Sequence, residues 1–202
     1  RRVLFRSLAT LSVLTVRRNL CYTSETRMWE SVLEVRPQHI RARVGLGALA
    51  LAAGDLKRAE AHFVEVLERL PADVPAGASP TATLYSLTQT NLGVVREQEG
   101  RFDLAEACFR EAIRVSQGNA DAKVNLGILL SRRRQDPESS RLWQAALKLE
   151  PHHAKALYCL GWSAMQRGDR AAAGLYLSKV AAGRGPWSDQ ARALLAQPTA
   201  GE

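Results

Sequence analysis

Residues 91–117 read NLGVVREQEGRFDLAEACFREAIRVSQ, and residues 125–151, one period downstream, read NLGILLSRRRQDPESSRLWQAALKLEP. The Leu-Gly pair that opens both stretches recurs at Leu46-Gly47, Leu92-Gly93, Leu126-Gly127 and Leu160-Gly161. The last two intervals are both 34, and the first is 46, which is 34 plus an insertion of 12. Eight positions after each Leu stands Gly54, Gly100, Arg134 or Gly168, and thirteen after stands Ala59, Ala105, Ser139 or Ala173. Seventeen after stands Phe63, Phe109, Trp143 or Leu177, twenty after Val66, Ala112, Ala146 or Val180, and twenty-five after Pro71, Gln117, Pro151 or Gly185. Agreement of several positions at one period marks an array of repeated supersecondary units, each too small to bury its apolar face alone.

Each recurrent position has a physical task. The Leu and the small residue after it belong on a first helix where a second helix crosses closely. The Gly supplies a backbone turn between the two helices that other residues resist. Asp55 and Asp169 follow that Gly and can cap the second helix. The small residue and the large one four later, Ala59 and Phe63 or Ala105 and Phe109, share one helix face. A closing Pro stops the second helix. In the third unit Arg134 replaces the corner Gly, and Asp136-Pro137-Glu138 offers an N-cap followed by a first-turn proline instead.

The period assigns four units across residues 40–185, with the insertion at 72–84. Pro71, Pro75, Gly77, Ser79 and Pro80 in and beside it spell a loop, then a lengthened helix starting at Ser79-Pro80. Residues 21–37 read as half a repeat, with Trp29 in the aromatic place and Pro37 in the closing place. Residues 186–197 read as a short capping helix that covers the array's end with Leu194 and Leu195.

This pattern resembles the tetratricopeptide repeat. The resemblance implies an all-α fold, a right-handed superhelical solenoid of helix-turn-helix repeats, and a function in binding protein or extended peptide in a groove lined by the first helices. A 3–4 spacing puts Thr90, Asn91, Val94, Glu97 and Gln98 of the second unit on that face, with Leu87. It adds Asn125, Ile128 and Arg132 from the third unit, beside Asp121, Val124 and Ser131. Lys155, Tyr158 and Trp162 come from the fourth, beside Cys159, Met165 and Gln166. Arg41, Val44, Gly45, Ala48 and Leu51 come from the first. Asn91 and Asn125 both precede Leu-Gly, and an amide carries the donor and the acceptor needed to hold a peptide backbone; such an Asn is equally a common solvated residue of these repeats. Arg41, Arg132 and Lys155 do not reproduce the cluster with which chaperone-binding members clamp a carboxylate.

Apolar residues make up 46% of the 202 residues, enough for a core, and aromatics only 6%, which favours helix over strand. The chain opens Arg1-Arg2-Val3-Leu4-Phe5-Arg6-Ser7, with no initiator Met, and residues 1–7 are expected to be an artefactual extension. Without those three arginines the formal charge of +8 falls to +5, an excess taken to be spread along the chain. Arg132-Arg133-Arg134 reads as a solvated helix end, and no nucleic-acid partner is expected. Cys21, Cys108 and Cys159 show no ligand spacing and read as free thiols, the latter two buried. His39, His152 and His153 fall on turns that tolerate any polar residue. No nucleophile–base, metal or phosphate-loop motif is present, so neither an enzyme centre nor a cofactor is expected.

The apolar segment over residues 8–20 is shorter than the roughly 20 residues that span a bilayer. It runs into Arg18-Asn19, Tyr22, Ser24-Glu25, Trp29, Pro37, Arg41-Ala42 and Leu46-Gly47. That order, over about a quarter of the chain, resembles a junction in bacterial relatives of the transmembrane O-mannosyltransferases, where the last membrane helix passes into C-terminal tetratricopeptide repeats. The resemblance implies a non-catalytic accessory domain of a polytopic membrane glycosyltransferase, membrane-associated, with its repeats outside the cytoplasm. The basic pair Arg17-Arg18 favours the cytoplasmic alternative.

Overall fold

The computed structural model describes residues 24–71, 73–133 and 136–196, and of Asp136 only the backbone. The expectations for residues 1–7, the 8–20 segment, Cys21 and the corner residue Arg134 lie outside the described residues. Among the described residues, ten α-helices and no strand are found. They are α1 (Glu25–Val35), α2 (Ile40–Ala52), α3 (Leu56–Arg69), α4 (Pro80–Gln98), α5 (Phe102–Val115), α6 (Ala120–Arg132), α7 (Asp136–Leu149), α8 (Ala154–Gln166), α9 (Arg170–Ala181) and α10 (Pro186–Leu195).

The chain divides into two compact units, one ending at Ala72 and one beginning at Asp73. The division falls in the Pro- and Gly-rich insertion, where the backbone cannot continue a helix. In the first unit α1 packs on α2 and α2 on α3. In the second, α4 pairs with α5, α6 with α7 and α8 with α9, and each pair packs on the next. The first helices also touch in series, α4 to α6 and α6 to α8, with α10 closing on α8 and α9.

Helix pairing rests on one contact repeated four times. A Cβ built on Gly47 would lie 2.6 Å from the Phe63 ring, on Gly93 2.5 Å from Phe109, on Gly127 2.4 Å from Trp143, and on Gly161 2.6 Å from Leu177. Those four large side chains are 0–2% exposed. Trp143 in addition donates its indole N–H to the carbonyl of Val124 at 3.2 Å. Trp29, at the same place in the half repeat, turns instead to Gly45 of α2, 2.7 Å from where a Cβ would stand. Gly45 therefore seats an aromatic ring and offers nothing to a groove.

The corners carry the backbone that the period called for. Gly100 has φ +77°, as do Gly54 and Gly168. Asp55 and Asp169 accept from the N–H groups of Arg58 and Ala172 at 3.1 and 3.0 Å, each satisfying one of the four free donors at a helix start. The first helices are capped as well. Ser79 receives Ala82 N–H at 3.0 Å and Asn119 receives Ala122 N–H at 2.9 Å. His39 and His153 do the same through Nδ1, at 3.2 and 3.3 Å. These two histidines are not merely tolerated on their turns, because Nδ1 reaches as far as an Asn side-chain oxygen. In the insertion, Val74 is buried against Ala82 and Val115, and Gly77 N–H bonds Val115 O at 3.0 Å. The result is α4, at 19 residues the longest helix described.

Alanine at three glycines should separate packing from backbone strain. Gly93→Ala should lose about 2 kcal/mol, since its methyl overpacks a sealed core. Gly100→Ala should lose about 1 kcal/mol from φ alone, because nothing lies within 4 Å of the new methyl. Gly118→Ala meets neither problem and should stay within about 0.5 kcal/mol of the parent. Denaturant titrations rank the three; equal losses at Gly93 and Gly118 would contradict the aromatic-on-glycine contact.

Candidate functional site

The face shared by α4, α6 and α8 is defined by side chains that cross from one first helix to the next. Arg132 Nη1 of α6 lies 2.9 Å from Glu97 Oε1 of α4. Lys155 Nζ of α8 donates to Asn125 Oδ1 of α6 at 2.7 Å. Around these links stand half-buried Asn91, Val94, Ile128 and Tyr158, exposed Gln98, and Trp162 at 42% exposure.

The structure sorts the residues that periodicity had put together. Thr90 does not reach the groove. It is 3% exposed, its hydroxyl donates to Ser86 O at 2.8 Å, and it accepts from Asn119 Nδ2 at 3.0 Å. Val124, one repeat on, is fully buried, and Tyr158, two repeats on, packs against Trp187 with ring centroids 5.2 Å apart. This register position points at the incoming helix. A 3–4 spacing cannot separate it from its neighbour on the open face, only about 100° away.

The two asparagines are not equal rungs. Asn125 is 7% exposed, with its carbonyl oxygen held by Lys155. Asn91 is half-buried and makes no side-chain hydrogen bond among the described residues. Val94, Ile128 and Trp162 occupy one register position. Val94 and Ile128 pack into the core of the following repeat, whereas Trp162 stays exposed. The Lys155 ammonium lies 5.8 Å from the Trp187 ring centroid. Burial pushes the Cys159 thiol up to about 12, so it stays protonated at neutral pH and is no nucleophile. Among the described residues there is no group of three or more His, Cys, Asp and Glu able to hold a metal. No helix there is long and apolar enough to cross a membrane.

The family model described as tetratricopeptide repeat matches residues 27–74, 90–139 and 132–186. The chain belongs to the tetratricopeptide repeat family. Among solved tetratricopeptide-like structures, MamA from Desulfovibrio magneticus is 20% identical, with a TM-score of 0.59 over 85% of this chain and 92% of that one. PilF of Pseudomonas aeruginosa is 17% identical, with a TM-score of 0.59 over 75% of this chain and 64% of that one. YrrB, whose structure is titled as a TPR protein with an unusual peptide-binding site, is 20% identical, with a TM-score of 0.51 over 84% and 80%. At such identities the likeness is one of fold. A curated relative, the CTR9 homolog of Arabidopsis thaliana, is 27% identical over 150 residues, which is 73% of this chain and 13% of that protein. The chain thus spans about an eighth of that relative's length. None of these matches bears on the O-mannosyltransferase-like junction.

One set of tetratricopeptide residues escaped the sequence reading although its signal was present. Asn119, His153 and Trp187 stand one full period apart, just outside or at the start of α6, α8 and α10. Each reaches back to the preceding first helix. Asn119 donates to Ser86 Oγ at 2.8 Å and to Thr90, His153 Nε2 lies 3.1 Å from Asp121 Oδ1, and Trp187 covers Tyr158 and Lys155. Their chemistries differ, so a residue-type comparison passes over them.

The Asp121 carboxylate raises the His153 imidazole above its ordinary range, and His153 in turn holds Asp121 below the usual carboxylate range. A raised His contributes stability that is full below about 6.5 and lost as pH rises through its folded value. A depressed Asp contributes stability that is present above about 3.9 and lost as pH falls through its folded value. The pair is therefore strongest between about pH 4 and 6.5. Asp121 is 73% exposed, so screening keeps the effect below about 1 kcal/mol. Stability of Asp121→Asn relative to the parent should be poorest near about pH 5–6 and recover by about pH 8. A pH-independent difference would remove the ion pair from the account.

Proposed function

We propose that the chain is a binding scaffold that takes an extended polypeptide on the face lined by α4, α6 and α8. The observation that carries this reading is the serial alignment of the three first helices, tied side chain to side chain by Arg132–Glu97 and Lys155–Asn125. Neighbouring helices lie roughly 10 Å apart, which an extended chain spans in about three residues. Asn91 supplies a free amide to the peptide backbone, Gln98 a second polar group, and Trp162 a flat apolar surface for one side chain. Asn125 contributes through its N–H groups, with its oxygen fixed by Lys155. Val94 and Ile128 form the floor. Arg132, 59% exposed while holding Glu97, adds selection by charge. A protein partner fits the family and the fold, and YrrB is a peptide-binding example with the same fold.

Peptides selected from a random displayed library against the chain supply the probe. Asn91→Ala with Trp162→Ala should weaken the selected peptides about tenfold or more, on the order of the loss of one interface anchor. Melting temperature should hold, since neither residue is sealed in the core. Selected peptides that bind the double variant as tightly as the parent would show that recognition lies off this face.

A further inference from the structure

Positive charge is not spread along this chain. Residues 24–138 carry 15 basic and 16 acidic side chains, whereas residues 139–196 carry 8 basic and 3 acidic ones. The structure sharpens the contrast. Before the boundary many arginines are matched, among them Arg110 with Glu106 and Glu138, Arg114 with Glu111, Arg132 with Glu97, and Arg133 with Asp103 and Glu106. Beyond it, among the lysines and arginines of the described residues, only Arg192 holds a carboxylate, that of Asp189.

The unmatched cations include exposed ones on the outer faces of two second helices. On α7, Arg141 and Lys148 are two turns apart and exposed, opposite the buried Ser139, Trp143 and Ala146. On α9, Leu175 and Lys179 are one turn apart and exposed, opposite Ala173, Leu177 and Val180. Arg141 and Leu175 hold the same register position, one period apart. Leu175 is 57% and Leu149 44% exposed, against 0–4% for the leucines of the cores beneath.

We propose that this outer face of α7 and α9 binds an acidic polypeptide segment with aliphatic side chains set among its carboxylates. The surface is separate from the groove and does not depend on the groove's function. Its cations hold no carboxylate among the described residues, so an external one gains attraction without displacing another. The leucines decide the class of partner: a phosphodiester chain has no aliphatic side chains to set on them. Further unmatched cations, Arg170 at the start of α9 and Arg184 in the turn that follows it, lie where a flexible chain running along α9 reaches them.

The test uses the full chain with a synthetic peptide of about fifteen residues repeating Glu-Glu-Leu. Comparators are a Glu-Glu-Ser peptide, a single-stranded oligonucleotide and phosphatidylglycerol vesicles, all at ~150 mM salt. The Leu peptide should bind tightest. The triple variant Arg141→Gln, Lys148→Gln and Lys179→Gln should weaken it about tenfold without lowering the melting temperature, since three exposed ion pairs sum to about 1.4 kcal/mol. Leu175→Ser should weaken the Leu peptide and leave the Ser peptide unchanged. Tighter binding of oligonucleotide or vesicles would overturn the proposal, and so would a triple variant that binds like the parent. If Trp162→Ser weakens the Leu peptide as much as the triple variant does, the acidic chain sits in the groove and the outer face is not its site.

Discussion

The structure depends on a large side chain resting on a glycine. Phe63, Phe109, Trp143 and Leu177 each lie where a Cβ on the partner glycine would stand, at 2.4–2.6 Å. Only the bare backbone of Gly47, Gly93, Gly127 and Gly161 lets the second helix come so near the first. Each buried ring or isobutyl group is worth roughly 1.5–3 kcal/mol against exposure, and the close approach adds dispersion contacts that a wider spacing forfeits. Everything downstream follows from that distance: the corner glycines at φ +77° turn the chain back at the length it requires, and the small residues Ala59, Ala105, Ser139 and Ala173 keep the rest of the interface thin.

If glycine and ring make each pair, the residue at the entry to α6, α8 and α10 makes the stack. Asn119 satisfies a cap, Ser86 and Thr90 with one amide, leaving no orphaned polar atom in that buried joint. His153 does two of these tasks with its two ring nitrogens. With Nδ1 accepting from Ala156 N–H, the neutral ring carries its proton on Nε2 and can donate it to Asp121. Trp187 does the same with area instead of hydrogen bonds, covering Tyr158 and Lys155. Polar, titratable and aromatic solutions thus occupy one structural position in three successive repeats.

The face of α4, α6 and α8 is pre-tied, and this shapes what it can bind. Glu97 and Asn125 already have partners on the next helix, so a ligand meets a surface whose strongest charges are largely neutralised within the protein. What remains open is a free amide at Asn91, a polar edge at Gln98, and the indole of Trp162. Such a surface suits a backbone and a single apolar anchor better than a row of charges. The exposed, unmatched cations lie on the outer side of α7 and α9 and have a different chemistry.

The sequence by itself determined the period, and with it the all-helical fold, the helix order, the corner glycines and the aromatic positions. These are local or short-range consequences of residue type: backbone freedom at Gly100, volume at Phe109, capping at Asp55. It also indicated which helices share one face, because a fixed interval places equivalent faces side by side. Only the tertiary structure decided that Thr90 is sealed under Asn119, that Gly45 seats Trp29, that Asn125 is bound to Lys155 while Asn91 has no side-chain partner among the described residues, and that Arg132 and Arg133 are spent on carboxylates while Arg141 and Lys148 hold none among those residues. These outcomes hinge on which of two adjacent positions on a helix meets the next repeat, a difference of a single position and a few ångströms. Periodicity averages over that difference; packing resolves it, because a buried polar or charged group must find its partner in space and not along the chain.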